Sequence, residues 1–264
     1  MARKRLFLLV VEGPTDADRL ADPLANALSR TVDVRIVKGD MTTARLFPDA
    51  FRDATGIRPS RNPVNTVSEL VSDYLERHSL SWTDLGYVAQ VTDLDGCFAP
   101  DDAVGAGANR NGAVEYRPDG ILAPDVDRLL KVRAEKRSCT LVLASASELR
   151  RSTKKTEAWV VPYRLFFMSR NLEHALDGNG GNLDDGAKES LAADFAEEYA
   201  DDPQAFRALL RTLNGLAGDP AGYAESWDWA ADRNAMHSLE RGSNLYWVFD
   251  WVDRNAPRIE RKPV

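Results

Sequence analysis

Apolar positions recur with two different periods along this chain of 264 residues, and the alternation between them predicts its architecture. Residues 6–11 (LFLLVV) are apolar without a break, which suits a strand buried on both faces. Ala17, Leu20, Ala21, Leu24, Ala25 and Leu28 then return at spacings of three and four, the mark of an amphipathic helix. Residues 32–37 alternate like a second strand; Val67, Leu70, Val71, Tyr74 and Leu75 predict a helix, and 87–91 a third strand. Val126, Leu129, Leu130 and Ala134 predict a helix feeding a strand at 140–144, and 163–168 reads as a fifth strand. Strands spaced by helices predict an α/β, Rossmann-like fold: a mostly parallel sheet with helices on both faces, and sites at the carboxyl ends of its strands.

After about residue 175 the strand pattern stops. Residues 177–182 (DGNGGN) read as a flexible break. Helical faces follow at Leu191, Phe195 and Tyr199, at Phe206, Leu209, Leu210 and Leu213, and at Leu245, Val248, Phe249 and Val252. The expected organisation is an α/β core over 1–175 and an α-helical C-terminal extension over 176–264. Trp227, Trp229, Trp247 and Trp251 fall in the second part and read as packing residues in preference to a base-stacking platform. Residues 105–112 (GAGANRNG) read as a mobile loop.

Composition narrows the class. A 44% hydrophobic and 28% charged chain is ordinary for a soluble globular protein. The run at 6–11 is too short to span a bilayer and no cleavage pattern follows it, so a cytoplasmic location without a membrane partner is expected. Cys97 and Cys139 form neither a disulfide framework nor a zinc spacing, and His78, His174 and His237 argue against a histidine-rich metal site. A net charge of −7 disfavours indiscriminate nucleic-acid binding. Yet residues 131–155 carry Lys131, Arg133, Lys136, Arg137, Arg150, Arg151, Lys154 and Lys155 against Glu135 and Glu148. A local basic surface can grip phosphates, and a solvated basic face balanced by the acidic stretch 177–202 explains the same charges equally well.

The candidate chemistry sits at strand ends. The first strand runs out into Glu12, Gly13, Pro14, Thr15 and Asp16 (VVEGPTDAD), the third into Asp93, Leu94, Asp95 and Gly96 (VTDLDG). Two carboxylates one residue apart point the same way and can share a cation, and Glu12 lies on the same rim. Thr15 or Asp16 can cap the following helix. Gly96 and the residues after Cys97 read as room for a nucleic-acid backbone to approach.

These two segments, in this order and strand context, resemble the Toprim domain shared by topoisomerases, bacterial primases and nucleases of the overcoming-lysogenization-defect type. The resemblance covers roughly residues 5–175. A third stretch, YRLFFMSRNLEHAL (163–176), is similar to the strand and glutamate-bearing helix of small Toprim-like proteins of phage defence, and places Glu173 near the metal site. The resemblance implies a Mg2+- or Mn2+-dependent nuclease with one or two ions. Glu12, Asp93 and Asp95 would be ligands, Asp16 or Glu173 would serve a second ion, and Glu12 could alternatively act as general base. Lys154 would steady developing charge, and Arg150, Arg151, Lys154 and Lys155 would bind the DNA or RNA backbone. Tyr116 and Tyr163 are conceivable nucleophiles, but no topoisomerase tyrosine motif accompanies them. The chain lacks a phosphate-binding P-loop motif, so any ATPase would be a separate defence partner; a homo-oligomer is compatible with the sequence.

Two other readings fit the same residues. VTDLDG also matches the opening motif of haloacid-dehalogenase-like phosphatases, with Asp93 as nucleophile, Asp95 as acid/base, Ser145 binding phosphate, Lys154 or Lys155 stabilising charge and Asp184–Asp185 as the late acids. That motif stands late in the chain for such an enzyme and leaves Glu12 unexplained. A metal- or nucleic-acid-binding subunit that never cuts is the third reading.

Overall fold

The computed structural model describes residues 4–154, 157–178, 185–214, 216, 222–254 and 260–263. The chain opens with β1 (Arg5–Val11), α1 (Pro14–Leu28) and β2 (Val32–Lys38). The unbroken apolar run behaves as its pattern requires. Leu6, Leu8 and Val10 enter one apolar cluster while Phe7, Leu9 and Val11 enter another on the opposite face, following the two-residue alternation of a strand. α1 starts promptly because Gly13 stays extended and Pro14 occupies the first helical position, where its missing N–H leaves no bond unmade.

Next come α2 (Pro48–Thr55), α3 (Pro63–Arg77) and β3 (Leu85–Asp93). Three short strands, β4 (Val104–Ala106), β5 (Glu115–Arg117) and β6 (Gly120–Ala123), make a separate small sheet in the order β4-β6-β5. They are followed by α4 (Val126–Ser145), β7 (Glu148–Lys154), β8 (Glu157–Met168) and α5 (Leu172–Asp177). The remaining elements are α6 (Asp185–Tyr199), α7 (Pro203–Leu213), α8 (Tyr223–Ala230), α9 (Trp247–Arg254) and β9 (Glu260–Pro263).

The main sheet runs β2-β1-β3-β8-β7, with β9 also pairing to β8. β2, β1, β3 and β8 pair in parallel, whereas β7 and β9 lie antiparallel to β8. The chain is therefore α/β, with a mixed, mostly parallel sheet flanked by helices. One face is covered by Phe51 of α2 and Val67, Leu70 and Val71 of α3. The other is covered by Leu20 and Leu24 of α1 together with Phe206 and Leu210 of α7 and Val248 and Phe249 of α9. The tail tryptophans pack: Trp251 meets Tyr87 edge-on at 5.0 Å, and Trp227 meets Phe167 likewise while its Nε1 donates to the Leu165 carbonyl. The half-buried Trp229 and Trp247 lie against the two apolar clusters. No described helix is long and apolar enough to cross a membrane.

Several expectations change. The predicted strand at 140–144 is the last part of α4. No breaker separates it from the helix before it, so propagation costs less than a new start, and its residues bury at helical spacing (Lys136, Cys139, Thr140, Leu143) while Leu141 and Val142 stay exposed. α2, β7 and the small sheet were not legible in the pattern, and β9 is a strand in the stretch predicted to be helical. Gly105 and Ala106 of the predicted loop belong to β4. Most of the predicted break, and Asp184, lie outside the described residues.

Candidate active site at the carboxyl rim of the sheet

Four adjacent parallel strands end on one rim, and each delivers a polar residue there. β1 runs into Glu12, β2 into Gly39 and Asp40, β3 into Asp93 and Asp95, and β8 into Ser169, Arg170 and, in the first turn of α5, Glu173. The Asp93 N–H donates to Glu12 Oε1 at 3.1 Å, and the Thr92 hydroxyl donates to the same oxygen. Asp16, in the first turn of α1, accepts from the Gly13 N–H at 2.9 Å, so it caps the helix while facing Asp93 and Glu173. Glu12, Asp16, Asp93, Asp95 and Glu173, nominated from widely separated segments, are thus brought together.

At the centre stands a residue that sequence reasoning left among the surface charges. Lys136 of α4 has its side chain 3% exposed; Nζ lies 2.5 Å from Asp95 Oδ2 and 3.5 Å from Glu12 Oε2. Burial alone would push this ammonium down, but Asp95, Glu12, Asp40 and Asp93 outweigh it and hold its pKa well above the usual value. The carboxylates show the reverse imbalance. Burial lifts Glu12 to about 8, with Lys136 pulling down and Asp40 and Asp95 adding to the rise. Burial, then Glu12, Asp16 and Asp95, push Asp93 well above the carboxylate range. Asp40 goes the other way: burial raises it, yet Lys136 and the hydrogen bonds of Thr43 and Thr42 carry it below the ordinary value.

A cluster of carboxylates this dense around one ammonium carries a surplus of negative charge. Its donors are all hard oxygens, the chemistry that Mg2+ and Mn2+ select, so the residues present fit such an ion. As it stands, no group of three acids among the described residues is spaced to enclose an ion, and Lys136 Nζ lies between Glu12 and Asp95. Glu12, Asp93 and Asp95 are the residues that could hold such an ion.

The backbone beneath the aspartates is held unusually. Asp95 has φ of 47° and Arg170 φ of 62°, both left-handed without being glycine, and the Asp95 N–H donates to the Arg170 carbonyl at 2.7 Å. Such conformations cost of order 1–3 kcal/mol each and persist where surrounding bonds over-determine them. Gly96 follows at φ of 64°, and a Cβ there would lie 2.7 Å from Leu239 and 2.8 Å from Ile121. The expected opening for a nucleic-acid backbone at Gly96 is therefore a packed turn. Arg133, itself 2% exposed, clamps it: its guanidinium donates to the carbonyls of Gly96 and Ala99, while Arg137 donates to that of Cys97.

Of the two tyrosines, Tyr163 is fully buried and donates to Gln90 inside the core, out of reach of any substrate. Tyr116 of β5 lies under the Arg170 guanidinium, 5.1 Å from its ring centre; burial, then Asp95, raises its hydroxyl pKa, which disfavours a nucleophilic phenolate.

The predicted phosphate grip is elsewhere. Arg151 pairs with Trp159 and Asp93 with Met168, at opposite ends of β8. At about 3.3 Å per strand residue that is a separation of roughly 30 Å. Arg150 and Arg151 instead line a groove against Glu69, Asp73 and Glu76 of α3, and Arg150 is bonded to Glu148. The backbone of Lys154 pairs with Glu157, farther still from the rim, while its side chain and the whole of Lys155 lie outside the described residues. Antiparallel pairing of β7 is the physical reason: it carries this part of the basic segment away from the carboxyl ends. Sequence reasoning missed Asp40 and Lys136. Asp40 follows a strand end and a glycine (VKGD, 37–40) just as Glu12 precedes one, a signal that could have been used; Lys136 had none beyond its charge.

Set against family models, curated proteins and solved structures, the chain matches none of them.

Proposed function

We propose that this chain is a divalent-cation-dependent nuclease of the Toprim type, hydrolysing phosphodiester bonds of nucleic acid, with its C-terminal helices as an extension of that core. The observation that carries the reading is the arrival of Glu12, Asp93 and Asp95 on one strand-end rim, in the order the resemblance implies. Glu12, Asp93 and Asp95 would hold a Mg2+ or Mn2+ ion, and Asp16 or Glu173 would serve a second. When bound, such ions supply Lewis-acid activation of water and neutralisation of charge on the phosphoryl oxygens.

The chain's own groups divide the remaining work. The Thr92 hydroxyl and the Asp93 N–H orient Glu12 by binding one of its oxygens. Glu12 would alternatively act as the general base in place of serving as a ligand; in the metal-free protein its burial lifts its pKa to about 8. Lys136, held protonated by its acidic neighbours, is the cation available to the pentavalent phosphorus, the part that sequence reasoning gave to Lys154. A role in phage defence with a separate ATPase belongs to the same reading and rests on the resemblance.

The phosphatase reading fares less well. Its phosphate-binding Ser145 would have to stand at a strand end, and it is the last residue of α4. The test is incubation of plasmid duplex, single-stranded DNA and RNA with Mg2+, Mn2+ or EDTA. Cleavage that needs the metal and is lost in Glu12→Gln and Asp93→Asn, with both variants folded, is the expected result. Retained cleavage in both variants removes the site assignment, and an aspartyl-phosphate trapped on Asp93 replaces the nuclease with the phosphatase.

A further inference from the structure

Beside the acidic rim a cavity of about 460 Å³ opens between the end of β2 and α2. Glu12 and Asp40 line it, so it is continuous with the carboxylate cluster, and the exposed Lys38 lines it as well. Its other wall is one face of α2 and the residue before it: Phe47, Ala50, Phe51 and Ala54 share that face at helical spacing. Phe51 is buried in the core, but Phe47 is 41% exposed. Two features show that Phe47 does not serve the helix. It occupies the N-cap position of α2, where Ser, Thr, Asp or Asn is strongly preferred, and it makes no capping bond. The next turns offer Ala50 and Ala54, both exposed, so the space in front of the ring stays open.

An aromatic face beside a row of carboxylates and a lysine fits a ligand with a flat apolar part joined to a phosphate. We infer that the cavity receives an unpaired nucleobase of the substrate strand, stacked on Phe47, and that the enzyme acts on single-stranded or locally opened nucleic acid. This rests on the nuclease reading above. A base whose phosphate lies at the ion that Glu12, Asp93 and Asp95 would hold can enter the cavity when it is out of a duplex, because a paired base is enclosed in its own stack. Every base has a π-face, so the contact is sequence-tolerant, and Lys38 meets the neighbouring phosphate.

The experiment measures binding of a labelled single-stranded oligonucleotide, the same strand with single abasic positions, and its blunt duplex, in Ca2+. It uses the full chain and its Phe47→Trp, Phe47→Leu and Phe47→Ala variants. Expected is an affinity for the single strand that falls in the order Trp, Phe, Leu, Ala. The Phe47→Ala loss should be roughly 5- to 150-fold, equivalent to about 1–3 kcal/mol per stacked base. The Phe47→Ala difference should vanish when the stacking position is abasic, and the duplex should bind less tightly than the single strand. Thermal midpoints of the variants verify that they fold. Equal single-strand affinity in wild type and Phe47→Ala, alongside metal-dependent cleavage by the wild type, overturns this inference and leaves the nuclease reading standing. A wild-type chain that neither binds nor cleaves any nucleic acid overturns both.

Discussion

The two halves of the basic segment 131–155 have the same composition and opposite fates. Arg133, Lys136 and Arg137 lie on α4 and turn inward, to the aspartate turn and the acidic rim. Arg150 and Arg151 lie on β7, exposed, at the other end of β8. Arg133, Lys136 and Arg137 are internal counter-charges; Arg150 and Arg151 are surface. A run of lysines and arginines therefore says nothing by itself about what it grips, because a charge finds its partner through the path of the chain and not through its neighbours in sequence.

Removing the central counter-charge should break this contrast most visibly. Lys136→Met is expected to abolish cleavage and to lower the stability of the metal-free protein at neutral pH by about 2–3 kcal/mol in urea unfolding. That is less than for a fully buried pair, because Asp95 is 37% exposed. Added Mg2+ should raise its Tm more than it raises the wild type's, since the ion then replaces the lost ammonium. Arg133→Met comes next, at about 2 kcal/mol, because buried carbonyls of Gly96 and Ala99 lose a charged donor.

A subtler effect follows from the burial of Glu12, which Lys136 does not offset. Metal-free and folded, Glu12 keeps its proton up to a pKa of about 8, against 4.5 as its ordinary value. Between those values the folded state holds a proton that the unfolded state has released, so this group makes stability fall as pH rises from 4.5 towards 8. In Glu12→Gln that contribution is gone. Its Tm in EDTA should depend less on pH across this window, and should exceed the wild type's by more at pH 8 than at pH 5. Parallel Tm–pH curves for the two proteins would refute the assignment. The smallest effect belongs to the outer half: Arg150→Ala with Arg151→Ala should alter stability by no more than about 0.5 kcal/mol. It should also leave the salt dependence of nucleic-acid binding unchanged; a shallower slope would bring β7 back as a phosphate contact.

The α/β layering was legible because strands and helices write their burial into local periods. β1, α1, β3 and α3 could be placed from the spacing of their apolar residues alone. The run at 140–144 misled because a short apolar stretch carries no period of its own, and the helix before it decided its state. Small elements such as β4, β5 and β6 were hidden for a related reason: three or four residues are too few to show a pattern. At the site, Glu12, Asp93 and Asp95 were legible since each is an acid following an apolar strand. Asp40 shows the same signature and was passed over.

What the sequence by itself determined is which residues arrive at strand ends, because a strand's burial pattern and the glycine or turn after it are local facts. Glu12, Asp93 and Asp95 follow from that. The tertiary structure alone decided that Lys136 sits among them, that Arg133 grips the aspartate turn, and that Arg150 and Arg151 lie far away. Those outcomes depend on how α4 lies over the rim and on β7 pairing antiparallel to β8. Such long-range arrangements are settled by burying whole faces against one another, and a charged residue is carried wherever the packed element takes it.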